Sequence, residues 1–216
     1  MTQFELGLPP VATKAEALAP GVTLLRGFAL ADETGLLDAI SCITELAEFR
    51  HMSTPGGFRM SVAMSNCGEW GWITDESGYR YSKTDPVTDL PWPDMPSVFV
   101  DLARSAAKQG GFPDFVPDAC LVNRYEPGAR MTLHQDRNEV DFGAPIVSVS
   151  LGLSATFQLG GMERSDKVEK IGLAHGDVLV WGGPARLRFH GVLPLKEGNH
   201  SMIGPCRINL TFRKAR

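Results

Sequence analysis

Residues 207–213 read Arg-Ile-Asn-Leu-Thr-Phe-Arg. Side chains alternate across a strand, so Ile208, Leu210 and Phe212 share one face and Arg207, Asn209, Thr211 and Arg213 the other. The apolar face belongs to a core. The polar face is either solvated or turned to a ligand. Arginine recognises carboxylates through two parallel hydrogen bonds, so two on one strand suit a dicarboxylate.

Working outward, short β-rich runs recur at 119–125, 131–136, 146–152, 155–159, 168–173, 177–181, 187–193 and 206–213. Turn residues separate them and no long helix intervenes, which predicts an antiparallel sandwich or jelly roll. Asn123 and Tyr125 share a face of the first run. Upstream, 22–28 reads as a strand, and a helix runs from an Asp32 N-cap to about 48, with Leu36, Leu37, Ile40, Ile43 and Leu46 on one face. A second helix spans 96–109, with Pro96 in its first turn, Lys108 in its last and Gly110-Gly111 as its stop. Between the helices, 50–95 is punctuated by Gly and Pro, as hairpins and loops are.

Two His-x-Asp triplets occur, His134-Gln135-Asp136 and His175-Gly176-Asp177. On a strand, residues i and i+2 point the same way, so an imidazole and a carboxylate can grip one ion. A second histidine completes a facial triad that leaves positions open on Fe(II). The 175–177 triplet feeds the strand 178–181, which makes Asp177 a turn residue. His134 ends a β-like run, and His190 is the natural third ligand. The alternative has His134 capping a turn and His190 satisfied in the core.

Trp70, Trp72, Tyr79 and Tyr81 cluster with Arg80 and Lys83. They form either a hairpin with cross-strand aromatic pairs or a stacking platform. The chain of 216 residues has ordinary globular composition, 43% hydrophobic and 21% charged, which excludes disordered and fibrous classes. Its net charge of −4 weighs against salt-driven binding along a duplex. A few local phosphate contacts remain open to Arg50, Arg59, Lys83, Arg130, Arg137 and Arg164. The first 20 residues show no basic and apolar segments of a secretory signal, and no apolar run spans a bilayer, so a cytoplasmic protein with no membrane partner is expected. Cys42, Cys67, Cys120 and Cys206 are accordingly expected as reduced, buried thiols.

Taken together, Asn123-Arg124-Tyr125, His134-Gln135-Asp136, IVSVSLGL at 146–153, His175-Gly176-Asp177-Val178, His190-Gly191 and the terminal RINLTFR resemble the AlkB family of Fe(II)/2-oxoglutarate-dependent dioxygenases. The segments TPGGFRMSVAMSNCG (54–68) and PDFVPDACLVNRY (113–125) extend the likeness over nearly the whole chain. The resemblance implies a mainly β fold with flanking helices, a double-stranded β-helix (jelly roll) core over 116–216, and an N-terminal part, 1–115, that packs on it as one compact unit and supplies a nucleotide-recognition lid. It implies Fe(II) held by the catalytic residues His134, Asp136 and His190, and 2-oxoglutarate held by Asn123, Tyr125, Arg207, Asn209 and Arg213, with O2 as cosubstrate. The implied substrate residues are Trp72, Tyr79, Tyr81, Asn138 and Arg164. The implied reaction is oxidative demethylation of N-alkylated bases such as N1-methyladenine and N3-methylcytosine in single- or double-stranded DNA, with RNA an alternative. Formaldehyde, succinate and CO2 leave, and a monomer suffices. The family's repair pattern carries Asp where this chain has Asn138, which bears on base preference.

Overall fold

The computed structural model describes residues 14–216, so most of the stretch read for a signal lies outside it. Two antiparallel sheets face each other. The larger has seven strands in the order β1 (Ala15–Ala19), β2 (Val22–Leu25), β11 (Val178–Trp181), β8 (Ile146–Gly152), β13 (Arg207–Arg213), β6 (Ala119–Tyr125) and β3 (Ala63–Gly68). The smaller runs β10 (Glu169–Leu173), β9 (Ala155–Leu159), β12 (His190–Val192) and β7 (Met131–His134). A separate hairpin joins β4 (Gly71–Asp75) to β5 (Gly78–Ser82). The expected jelly-roll core is thus present. Three strands from before residue 115 extend its larger sheet at both edges.

The sequence of β8 shows why the larger sheet is buried on both faces. Val147, Val149 and Leu151 point outward into a core shared with α1 (Glu33–Leu46) and α2 (Ser97–Gln109). Ile146, Ser148 and Ser150 point inward between the sheets. β13 divides the same way. Ile208, Leu210 and Phe212 pack under the helices, with Phe212 meeting Phe99 edge-to-face at 5.6 Å. The face bearing Arg207 and Arg213 is turned inward, and all seven residues of the strand are buried. The alanines of α2, Ala103, Ala106 and Ala107, let it lie close to the sheet. A Cβ at Gly110 would come within 2.6 Å of Val180.

The strands 119–125, 146–152 and 155–159 fall where the pattern puts them. Others are shorter. The run 131–136 leaves its ladder at His134, and 187–193 pairs only over 190–192, because a 3-10 turn at Gly183–Ala185 precedes it. Leu46 does not join the buried face of α1. It is 73% exposed, beyond the last turn that overlies the sheet. Pro96 caps α2 from outside its first turn. All four cysteines are free, but only Cys67 and Cys120 are buried, since Cys42 faces solvent on α1 and Cys206 is half-buried ahead of β13. Among the described residues no helix is long and apolar enough to cross a membrane.

Candidate active site

His134 and His190 are direct partners across the β7–β12 ladder, which brings their rings to 4.4 Å between centroids. Asp136 lies just past the end of β7. Its Oδ1 is 3.7 Å from His134 Nε2 and its Oδ2 is 3.7 Å from His190 Nε2. Each imidazole donates its Nδ1–H to a carbonyl, His134 to Thr132 at 2.8 Å and His190 to Arg188 at 3.1 Å. That fixes the tautomer and leaves both Nε2 lone pairs turned to one point. The three ligand atoms lie within 4.8 Å of one another. Two neutral imidazoles and one carboxylate are the donor set of a facial triad, so these residues fit Fe(II).

The electrostatics agree. Burial, reinforced by the neighbouring His134, pushes His190 down to about 4, so it is neutral at pH 7 as a ligand must be. Phe157 and Trp181 supply that burial, with centroids 5.8 and 5.1 Å from its ring. Burial alone would raise Asp136. The Arg213 charge, with the two histidines, outweighs it and holds the carboxyl well below its ordinary range.

The two arginines of β13 have different duties. Arg213 donates from Nε and Nη2 to Asp136 Oδ2 at 3.0 and 2.8 Å. Its Nε and Nη2 are engaged by the carboxylate of a metal-ligand residue, while the side chain also lines the cavity. Arg207 is 1% exposed and gives only Nη2 to the Ser150 hydroxyl, at 3.0 Å. Its Nε and Nη1 have no partner, and neither does Asn123 Oδ1. Buried donors without partners are costly, so the two on Arg207 mark a place that suits an anionic ligand. Tyr125 lies under the Arg207 guanidinium, with 5.1 Å to the ring centroid. Asn209 lines the same space, but both its Nδ2 bonds, to Ser148 Oγ and Val149 O at 2.8 Å, go to the sheet.

These groups border one cavity of about 300 Å³ between the sheets. Trp72 and Tyr79 border it too, stacked at 5.7 Å and 22° on the β4–β5 hairpin. Asn138 joins them to the ligand segment, its Oδ1 accepting from Trp72 Nε1 at 3.1 Å. Tyr81 does not reach the cavity. It is buried, and its hydroxyl donates to Glu139 Oε1 at 2.6 Å. Arg164 is also outside, exposed and stacked 5.8 Å over Phe189. Of the cations open to phosphate, Arg50 is paired with buried Asp85 and Lys83 with Glu69. Arg59, Arg130 and Arg137 are exposed and pair with no carboxylate among the described residues.

Three contributors escape a reading by motif. Ser148 and Ser150 sit on the inner face of β8, and their alternation with Val147, Val149 and Leu151 is the signal that could have found them. Trp181 lines the cavity with an unpartnered Nε1, and nothing in VLVW distinguishes it from core.

A profile described as the 2OG-Fe(II) oxygenase superfamily matches residues 21–213. The alpha-ketoglutarate-dependent dioxygenase AlkB of Salmonella typhimurium is 55% identical over 200 residues, 93% of each chain. A human relative named nucleic acid dioxygenase ALKBH1 is 33% identical over 66% of this chain and 45% of its own. A solved structure described as that of OsALKBH1 superposes with a TM-score of 0.79 at 31% identity, covering 93% of this chain and all of that one.

Proposed function

Given that the chain belongs to the AlkB family within the 2OG-Fe(II) oxygenase superfamily, and is an alpha-ketoglutarate-dependent dioxygenase, we propose that it removes N-alkyl groups from the bases of DNA. The observation that carries this reading is one cavity with an Fe(II) donor set and an unpaired arginine inside and a stacked aromatic pair beside them. His134, Asp136 and His190 would hold Fe(II), and Arg207 with Asn123 and Tyr125 would hold 2-oxoglutarate. When bound, iron and 2-oxoglutarate with O2 supply the oxidation of an N-methyl group, with loss of formaldehyde, succinate and CO2.

The protein's own part is orientation. Arg213 holds Asp136 in place before any ligand arrives. The carbonyls of Thr132 and Arg188 do the same for the histidines. Trp72 and Tyr79 offer ring faces to a base taken out of its stack, which a methyl on the Watson–Crick edge requires. A cationic base such as N1-methyladenine or N3-methylcytosine gains further from an aromatic face. Asn138 beside them keeps hydrogen bonding without the charge of Asp, which broadens or shifts the accepted lesions. Arg59, Arg130, Arg137 and Arg164 are exposed cations for phosphates without a carboxylate partner among the described residues, enough for brief contacts in a chain of net charge −4. The proposed substrate is single- or double-stranded DNA, with RNA an alternative, and a cytoplasmic monomer suffices for the reaction.

The test is incubation with methylated single-stranded oligonucleotides, Fe(II), 2-oxoglutarate and air. The expected result is loss of methyl by mass spectrometry with equal formaldehyde and succinate. Succinate without a demethylated oligonucleotide would sink the nucleic-acid substrate.

A further inference from the structure

We infer that Glu139 is a positioning residue that ties the aromatic hairpin to the metal-ligand segment, so that the two sides of the cavity are set as one body. This rests on the substrate reading above for what the hairpin does, and on geometry alone for the tie.

Glu139 lies three residues beyond Asp136, and its side chain is 2% exposed. A carboxylate so deep in the protein persists only when its oxygens are paired. Oε1 accepts from the Tyr81 hydroxyl at 2.6 Å and faces Arg213 Nε at 3.5 Å. Oε2 accepts from Arg186 Nη2 at 3.1 Å. Both arginines also hold Asp136, at different atoms. Arg213 bonds its Oδ2, and Arg186 Nη1 bonds its main-chain carbonyl at 3.0 Å. Arg186 Nε reaches a third point, Ala144 O, at 3.1 Å. Glu139 therefore fixes the ligand residue through its side chain and its backbone at once.

The charges are balanced only with Glu139 present. Asp136 and Glu139 face Arg213 and Arg186 in the interior. Neutralising Glu139 leaves a net positive charge beside the place where a dication must bind, and frees both arginines to pull on Asp136. Groups that orient ligands from behind affect metal affinity by ten- to a hundredfold. The Tyr81 arm runs the other way. Tyr81 lies on β5 with Tyr79 and is the cross-strand partner of Trp72 on β4, so its bond to Glu139 pins the hairpin that carries the aromatic pair. Tyr81 thus acts outside the cavity, through Glu139.

The experiment uses the full chain with Mn(II) as probe. Binding by electron paramagnetic resonance is expected to weaken about tenfold in Glu139→Gln. Tyr81→Phe removes one hydroxyl and keeps every arginine contact, so its Mn(II) affinity is expected within twofold of wild type. Amide exchange across 71–82 is expected to speed up in Tyr81→Phe. KM for a methylated oligonucleotide is expected to rise about fivefold with kcat little changed, and adding Tyr81→Phe to Glu139→Gln should raise it little further. Unchanged Mn(II) affinity in a folded Glu139→Gln, or unchanged hairpin exchange in Tyr81→Phe, overturns the proposal. Should Glu139→Gln fail to fold, the exchange of Tyr81→Phe decides alone. An oligonucleotide that wild type does not demethylate removes the substrate reading, while the Mn(II) and exchange results still judge the tie.

Discussion

Two stretches of this chain share the pattern His-x-Asp, and the fold puts them to opposite uses. At 134–136 the histidine ends a strand of the smaller sheet, faces His190 across the ladder and keeps its Nε2 free. At 175–177 the same letters make a tight turn around Gly176, whose φ is +82°. There the carboxylate of Asp177 is fully engaged, accepting from Gly27 N at 3.0 Å, Ala174 N at 2.9 Å and Arg26 at 2.7 Å. His175 Nδ1 accepts from Gly152 N at 2.8 Å, and His200 stacks on its ring at 4.3 Å. One triplet holds open ligand atoms toward a cavity, and the other spends its carboxylate and its His175 Nδ1 on backbone amides and Arg26. A motif of two residues has chemistry only where the surrounding elements leave its atoms unpaired and bring a third ligand.

The contrast is broken most directly by His134→Ala. Turnover of 2-oxoglutarate should drop by about a thousandfold or more, as loss of a metal ligand does, while the metal-free protein should melt close to wild type because His134 is partly exposed. Succinate formation and calorimetry check the two halves. Asp177→Ala should do the reverse. It leaves the part-buried N–H groups of Gly27 and Ala174 without their acceptor and takes from Arg26 its shortest ion pair, which costs about 2 kcal/mol in urea unfolding, with Mn(II) affinity retained. If both variants lose metal binding alike, the distinction between the triplets fails.

A third expectation concerns pH. His190 takes a proton near 4 in the folded protein and near 6.5 when unfolded. Below 6.5 the unfolded chain binds a proton that the folded chain refuses, so stability is lost as pH falls from 6.5 toward 4 and is unaffected by this group above 6.5. The full loss is about 3 kcal/mol by linkage. Between pH 7 and 4.5 metal-free wild type should lose about 2–3 kcal/mol more urea stability than His190→Gln. Parallel curves would mean that His190 is not held neutral by burial. The smallest effect belongs to the rim. Asn138→Asp should change relative rates on methyladenine, methylcytosine and methylguanine oligomers by about three- to tenfold in favour of cationic bases, about 1 kcal/mol. Unchanged ratios would remove Asn138 from the determinants of base choice.

Much of the core was legible because its signal is local. The alternation in RINLTFR and IVSVSLG places each side chain on its face without knowledge of any partner, and the strands at 119–125, 146–152 and 155–159 have turn residues at their ends. Strand ends and spacing left the ligand triad open and the family resemblance implied it, but only the β7–β12 register decides that His190, not His175, stands opposite His134. The division between Arg207 and Arg213 was not legible. Both occupy the inward face of one strand, and what separates them is that Asp136 sits within reach of only one. Tyr81 and Arg50 misled for the same reason. Their acceptors, Glu139 and Asp85, are 58 and 35 residues away.

The sequence by itself determined the periodicities, the turns and the supply of donors, because these depend on neighbours along the chain. It therefore carried the jelly-roll class, the inward face of β13 and the choice of metal-binding residue types. Tertiary structure decided which of those donors are occupied. Pairing is set by distance in space: the fold engages Arg213 with Asp136 and leaves Arg207 Nε and Nη1 without partners.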